Sequence, residues 1–239
     1  MSGLVIKMYA VFVCVGVFAF AYGYVNVALN KPAYLQGQYK PGDDTYDASN
    51  AVDGRKSDLS LYGGQCSGSQ ERQTATWWVD LTTIHSIHHI TIYFRTDNNP
   101  WGPSNDITKY FLGFSVYVSN TTDRLQGTLC YKDYKFTRTT IPAVFNTTCP
   151  VHGQYVIYYN ERLPRVIYPD GYSDTIDSDL CEVEVYGCPA TGCYGSNSTF
   201  PCPAVNCQYC HIETGTCQGC KPGYQGYRCE LGKTAYVPL

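Results

Sequence analysis

The chain has 239 residues, with 17 Lys+Arg against 20 Asp+Glu and a formal charge of −3. No basic excess is available to collect phosphates, which argues against a nucleic-acid partner held by backbone neutralisation. A charged fraction of 15% and 2 Met, beside 23 Tyr, 22 Gly and 13 Pro, disfavour a helical bundle and favour strands joined by many turns, in one or two domains with room for a sizeable core.

In chain order, Lys7 is the only charge before the apolar run at 8–21, and Ala19-Phe20-Ala21 supplies small residues at the spacing a signal peptidase reads. Residues 1–21 therefore read as a signal peptide. An uncleaved anchor is the rival, but this run is shorter than the roughly 20 apolar residues that cross a bilayer. Cleavage removes Cys14 and leaves twelve of the thirteen cysteines, an even number suited to disulfides in an oxidising compartment. Sequons at Asn120, Asn146 and Asn197 fit the same address, a secreted, extracellular glycoprotein with no membrane span in the mature chain.

Residues 76–81 and 154–160 read as strands dense in aromatics, with one ring of Trp77 and Trp78 inside. Ile90, Ile92 and Phe94 alternate with polar neighbours. So do Leu112, Phe114, Val116 and Val118, and then Cys181, Val183 and Val185, at the period of half-buried strands. Gly, Pro, Asn and Asp-rich connections without a convincing helix indicate an all-β chain, an antiparallel β-sandwich or jelly roll.

Cysteine spacing divides the mature chain. Residues 22–187 hold Cys66, Cys130, Cys149 and Cys181, whereas eight cysteines fall between Cys188 and Cys229, a density at which bridges replace a hydrophobic core. Residues 188–230 thus form a small disulfide-rich module, followed by a short tail at 231–239. His85, His88 and His89 raise the idea of a metal cluster, but His88 and His89 face opposite sides of a strand and no nearby acid completes a ligand set; a polar strand edge is the simpler reading. Nucleophile-elbow, phosphate-loop and zinc-protease motifs are absent, so the chain is not expected to be an enzyme. The Cys207-to-Cys210 pair reads as bridge cysteines rather than a redox or zinc pair.

The segments starting at Asn26 (NVALNKPA), Ala48 (ASNAVDG), Trp77 (WWVDL), Ile90 (ITIYFR) and Leu180 (LCEVEVYG) together resemble the F-type lectin (fucolectin) family of galactose-binding-like, discoidin-type jelly rolls. The cysteine-rich segment resembles an EGF/laminin-type module such as occurs in multiple-EGF and scavenger-receptor proteins. The resemblance implies bridges Cys66–Cys181 and Cys130–Cys149, and Cys220–Cys229 closing the EGF-like module.

It also implies a calcium cofactor. Calcium takes about six to eight hard oxygens, and the turn of Asn50 to Arg55 suits part of such a set. Carried over from the family, Asp53 and Glu182 supply side chains and Asn50, Arg55, Gln65 and Cys181 supply carbonyls. The competing reading takes Asp53-Gly54 as a plain turn and Glu182 as a solvated strand residue.

For sugar, the family uses a His, an Arg-X-Asp, a further basic residue and two adjacent cysteines. Arg95-Thr96-Asp97 matches the central element, but the other positions fall on Gly68, Gly102 and Asn98-Asn99. Each lost charged donor forfeits roughly 1.5–3 kcal/mol. Trp101 offers a substitute stacking surface and Lys109 a displaced cation; alternatively Trp101 packs over its own loop and Arg95 pairs with Asp97. The resulting expectation is a secreted carbohydrate-binding or cell-surface recognition protein whose partners are glycans or glycoproteins. The alternative is an adhesion or receptor ectodomain that binds an extracellular protein through the jelly roll and EGF-like module.

Overall fold

The computed structural model describes residues 23–188, 192–195 and 200–232. The expected signal peptide, the Asn197 sequon and residues 233–239 of the tail lie outside the described residues.

Eight strands build the larger part: β1 (Val25–Asn26), β2 (Ala33–Leu35), β3 (Thr74–Phe94), β4 (Ser115–Ser119), β5 (Thr128–Lys132), β6 (Val144–Thr148), β7 (His152–Glu161) and β8 (Leu180–Gly187). All pairings are antiparallel, and the path runs β1-β8-β3-β7-β4-β5, with β2 and β6 also on β3. The runs at 76–81 and 90–94 belong to one strand. Its first half pairs with β2 and β7 and its second with β8 and β6. The change of layer coincides with a register shift between Asp80 and His85 and with Thr82 at φ 70°, a left-handed residue that turns the strand. The expected strand at 112–118 is shorter than its pattern. Leu112 and Phe114 are buried, but the backbone there leaves a four-residue helix (Thr108–Phe111) through Gly113 at φ 79°, so β4 begins only at Ser115.

Inward residues of both layers form one core: Trp77 and Val79 from the first half of β3, Ile90 and Ile92 from the second, Val116, Tyr158, Val183 and Val185. Each large apolar side chain so buried contributes about 1.5–3 kcal/mol. Phe114 joins the layers, edge-on to Phe145 at 4.9 Å and parallel to Tyr158 at 5.7 Å. Of the adjacent tryptophans, Trp77 is fully buried, while Trp78 lies outside, stacked on Tyr34 at 5.2 Å. Cys66 is bonded to Cys181, fastening a long loop to β8, and Cys130 to Cys149, linking β5 to the residue after β6.

Among the described residues the cysteine-rich region holds six short strands in three pairs: Cys193–Tyr194 with Phe200–Pro201, Cys207–Cys210 with Cys217–Cys220, and Tyr224–Gln225 with Leu231–Gly232. Its bridges are Cys188–Cys193, Cys202–Cys210, Cys207–Cys217 and Cys220–Cys229. Cys207 and Cys210 therefore bond to different partners, and neither offers a free thiolate. Its buried cluster is small, Cys188, Cys193 and Ile212, with Tyr24 from the sandwich packed against it. No helix among the described residues is long and apolar enough to cross a membrane.

Candidate functional site

Beyond Phe94 the chain leaves β3 in a tight turn. Asp97 and Asn98 take φ values of 51° and 55°, a conformation that Asp and Asn tolerate better than other non-glycine residues. The turn aims the Asp97 carboxylate back at Arg95: Arg95 Nε donates to Asp97 Oδ1 at 2.7 Å and Nη2 to Oδ2 at 2.8 Å. Nη1 donates to Asp179 Oδ2 at 2.7 Å, and Asp179 Oδ1 accepts from Ser69 N at 2.8 Å. Three of the five guanidinium N–H groups are used in this way, leaving two without an acceptor among the described residues.

A second loop clasps this turn. Thr96 N and Asp97 N both donate to Leu59 O at 3.0 Å, Leu59 N donates to Asn98 Oδ1 at 2.9 Å, and Asn98 Nδ2 donates to Asp58 Oδ1 at 2.7 Å. Leu61 N adds a bond to Asp97 Oδ1 at 3.2 Å.

Electrostatics follow from burial around one cation. Burial works against the Arg95 charge, but its bonds to Asp97 and Asp179 hold its pKa above the ordinary value. Burial would raise Asp97; the Arg95 bond and charge outweigh it and bring the carboxyl down. Asp179 is fully buried, and burial pushes its carboxyl up against the pull of Arg95 and Ser69 N–H. Asp177 is pushed up to about 8 by burial, then by Asp179 and Glu71. Its Oδ1 is buried with no hydrogen-bond partner.

The other residues of the expected sugar set sit differently. Trp101 donates from Nε1 to Ile141 O at 2.7 Å, lies parallel to Phe94 at 6.4 Å and packs against the core. The Lys109 ammonium lies over its neighbour Tyr110 at 5.3 Å. Gly68 is enclosed: a Cβ there would meet Tyr46 Cδ1 at 2.8 Å and Leu61 Cδ1 at 2.9 Å. Gly102, at φ 140°, faces open space.

An aromatic surface lies next to Gly68. Tyr39 and Tyr62 flank the buried Tyr46, edge-on at 5.1 and 6.5 Å, and Lys40 Nζ lies 5.7 and 5.5 Å from the Tyr39 and Tyr46 rings. Tyr62 is 70% exposed and follows directly on Leu61, the residue bonded to Asp97. Among 23 tyrosines nothing local distinguishes these.

The residues expected around calcium lie on three segments, of which the Asp53 turn and Glu182 meet. Asn50 Nδ2 donates to Asp44 O and Thr45 O and fixes a 3₁₀ turn at Ala48–Val52 that leads into Asp53. Asp53 Oδ1 accepts from Arg55 N at 2.8 Å, while Gln65 Oε1 accepts from Ser57 N and Asp58 N. Across from them Glu182 is fully buried rather than solvated, both its oxygens 3.2 Å from Gly54 N. Burial pushes its carboxyl up to about 7; Asp53 and Glu184 add repulsion, while the Gly54 N–H and Lys56 oppose it. Lys56 itself is hydrogen-bonded to Glu184. Asn120 and Asn146 are exposed, and Asn146 Nδ2 donates to Thr91 Oγ1 at 2.8 Å.

A family model described as a NedA-like, galactose-binding domain matches residues 50–157. No curated protein matches the chain. Among solved structures, it is similar to an F-lectin (fucolectin) from striped bass (Morone saxatilis) serum, with a TM-score of 0.54 and 24% identity over 71% of this chain and 51% of that one. The chain thus spans about half the length of that lectin. It is also similar to the lectin domain of lectinolysin complexed with Lewis B antigen, with a TM-score of 0.50 and 18% identity over 68% of this chain and 96% of that one. At these identities the likeness is one of fold, a galactose-binding, jelly-roll-like domain followed here by a small disulfide-rich region.

Proposed function

We propose that this chain is a secreted recognition protein that binds glycans or glycoproteins at the rim formed by the 58–62 loop and the Arg95-to-Asn98 turn, without catalysis. The observation that carries this reading is Arg95 itself. Asp97 and Asp179 fix its plane, and two N–H groups remain to meet hydroxyl oxygens, on the rim that also carries the exposed Tyr62, the residue after the Leu61 whose N–H bonds Asp97. Directional donors beside an aromatic face are what a sugar ring needs. That the lectin domain of lectinolysin was solved with Lewis B antigen supports the ligand class on this fold. In this reading Trp101 shapes the rim from behind, and the disulfide-rich region is an EGF-like module, supported by its closing bridge Cys220–Cys229. Asn120, Asn146 and Asn197 carry glycan.

Calcium is part of the proposal. Glu182, buried beside Asp53 with one backbone donor for two oxygens, is a site whose charge a divalent cation would balance. Asp53 and Glu182 would hold the ion by side chain, and Asn50, Arg55, Gln65 and Cys181 by carbonyl. When bound, it supplies positive charge that ties the first long loop to β8; the protein's own residues do the recognising.

A second reading, an adhesion or receptor ectodomain with a protein partner, is favoured by the filled space at Gly68, where the family's His has no counterpart. A glycan array of the full chain, with and without calcium, separates the two. Wild type is expected to give a signal that Tyr62→Ala and Arg95→Lys weaken, the latter because Lys keeps the charge but loses the planar fork. An array blank for wild type in calcium rejects glycan binding and leaves the protein-partner reading.

A further inference from the structure

The five histidines of the chain gather where the sandwich meets the disulfide-rich region. His85 Nδ1 is 2.9 Å from Cys188 O. His88 Nε2 is 3.2 Å from Glu213 Oε1, and its Nδ1 is 2.9 Å from His89 Nδ1. His152 Nδ1 is 3.2 Å from Gln218 Oε1, with its ring centred 4.1 Å from Tyr209. His211 precedes Ile212, which belongs to the buried cluster that Tyr24 covers. The row at 85–89 is thus a seam rather than a free strand edge. No described disulfide crosses it: Cys66–Cys181 and Cys130–Cys149 lie within the sandwich, the other four within the region beyond. Docking rests on these histidines, on Ser86 Oγ donating to Cys210 O at 2.8 Å, on Cys188 N donating to Ser86 O at 2.9 Å and on the Tyr24 contact.

We propose that this seam is a proton-operated latch, closed while His89 and His152 are neutral, and released on acidification so that the disulfide-rich region swings away from the sandwich about the chain at Cys188.

The geometry sets the sign. Two Nδ1 atoms 2.9 Å apart share one proton, one ring donating and the other accepting. A further proton leaves two donors facing each other. The groups facing this pair are Tyr24, stacked on His88 at 4.3 Å, Tyr186, stacked on His89 at 4.5 Å, Glu184 beyond it, and Glu213. Glu213 Oε1 lies on the Nε2 side of His88, away from the facing Nδ1 atoms, and does not reach a proton added at His89 Nδ1. Burial, then His88, holds His89 below its ordinary value, with Glu184 opposing. Burial does the same to His152, whose neighbours Tyr209 and Gln218 are uncharged; Gln218 opposes. A base whose pKa is lower docked than free favours docking above its free value and loses that contribution as pH falls through the docked value. The window lies below the ordinary histidine range near pH 6.5.

The test is amide hydrogen exchange of the full-length protein at about pH 7.5 and about pH 5, corrected for the intrinsic rate, with β3 and β7 core amides as internal reference. The Cys188 amide, which donates to Ser86 O across the seam, is expected to lose protection by about tenfold or more at the lower pH, while core amides hold. Replacing His88, His89 and His152 by Gln is expected to abolish that difference; if the triple variant is already undocked at neutral pH, His152→Gln alone is expected to reduce it. Equal protection at both pH values in wild type overturns the latch, and so does a wild-type-sized loss in whichever variant docks at neutral pH.

Discussion

Tyr46 occupies the space that any side chain at position 68 would need: a Cβ on Gly68 would stand 2.8 Å from Tyr46 Cδ1. Tyr46 is itself buried and held edge-on between Tyr39 and Tyr62, so it has little room to yield. Gly68→His, which adds an imidazole donor at this position, is therefore expected to lower stability by about 1–3 kcal/mol through overpacking and to add no glycan signal. Urea denaturation and the array together check this.

Arg95→Gln tests the ion cluster. The variant leaves Asp179, fully buried, with a neutral partner in place of a cation, a change that typically costs about 3–5 kcal/mol. Equilibrium denaturation near pH 7 is the measurement, and a loss below about 1 kcal/mol would place the bond in the class of surface pairs.

Asp177 gives a pH signature. Its carboxyl is pushed up to about 8 in the folded protein, so the folded state holds a proton that the unfolded state releases near its ordinary value of about 4. Stability from this proton is complete below about pH 4 and is lost as pH rises through about 8. Asp177→Asn is expected to match wild type in acid and to exceed it increasingly across that window, by about 1–3 kcal/mol at the alkaline end. Melting curves of both proteins across pH 4–9 read the difference directly.

If calcium is bound as proposed, millimolar calcium raises the melting temperature of wild type and a chelator reverses the rise, because a ligand of the native state alone must stabilise it. Glu182→Gln removes one of two carboxylates and is expected to abolish the response. A chelator without effect on wild type eliminates the site.

Period-two alternation at Ile90, Ile92 and Phe94 and at Val116 and Val118 is visible in the sequence because burial on one face of a strand writes itself into every second residue. The density of cysteines after Gly187 is visible for a similar reason, since a segment too poor in apolar residues to form a core must be held by bridges. Trp77 and Trp78 already implied one ring in and one out. None of this required knowing what lies across the fold.

Contacts between distant segments left no such record. Arg95 and Asp179 are 84 residues apart, Gly68 and Tyr46 share no periodic pattern, and His152 meets Tyr209 only because β7 starts where the disulfide-rich region docks. Even β3 looked like two strands, since Thr82 interrupts the alternation while the backbone continues into the second layer. The local pattern carried the strands and the class of the chain, as each depends on neighbours within a few residues. Which donors stay free at the rim, which space is filled and what the histidines face depend on register and loop closure, and these exist only once the two layers have packed.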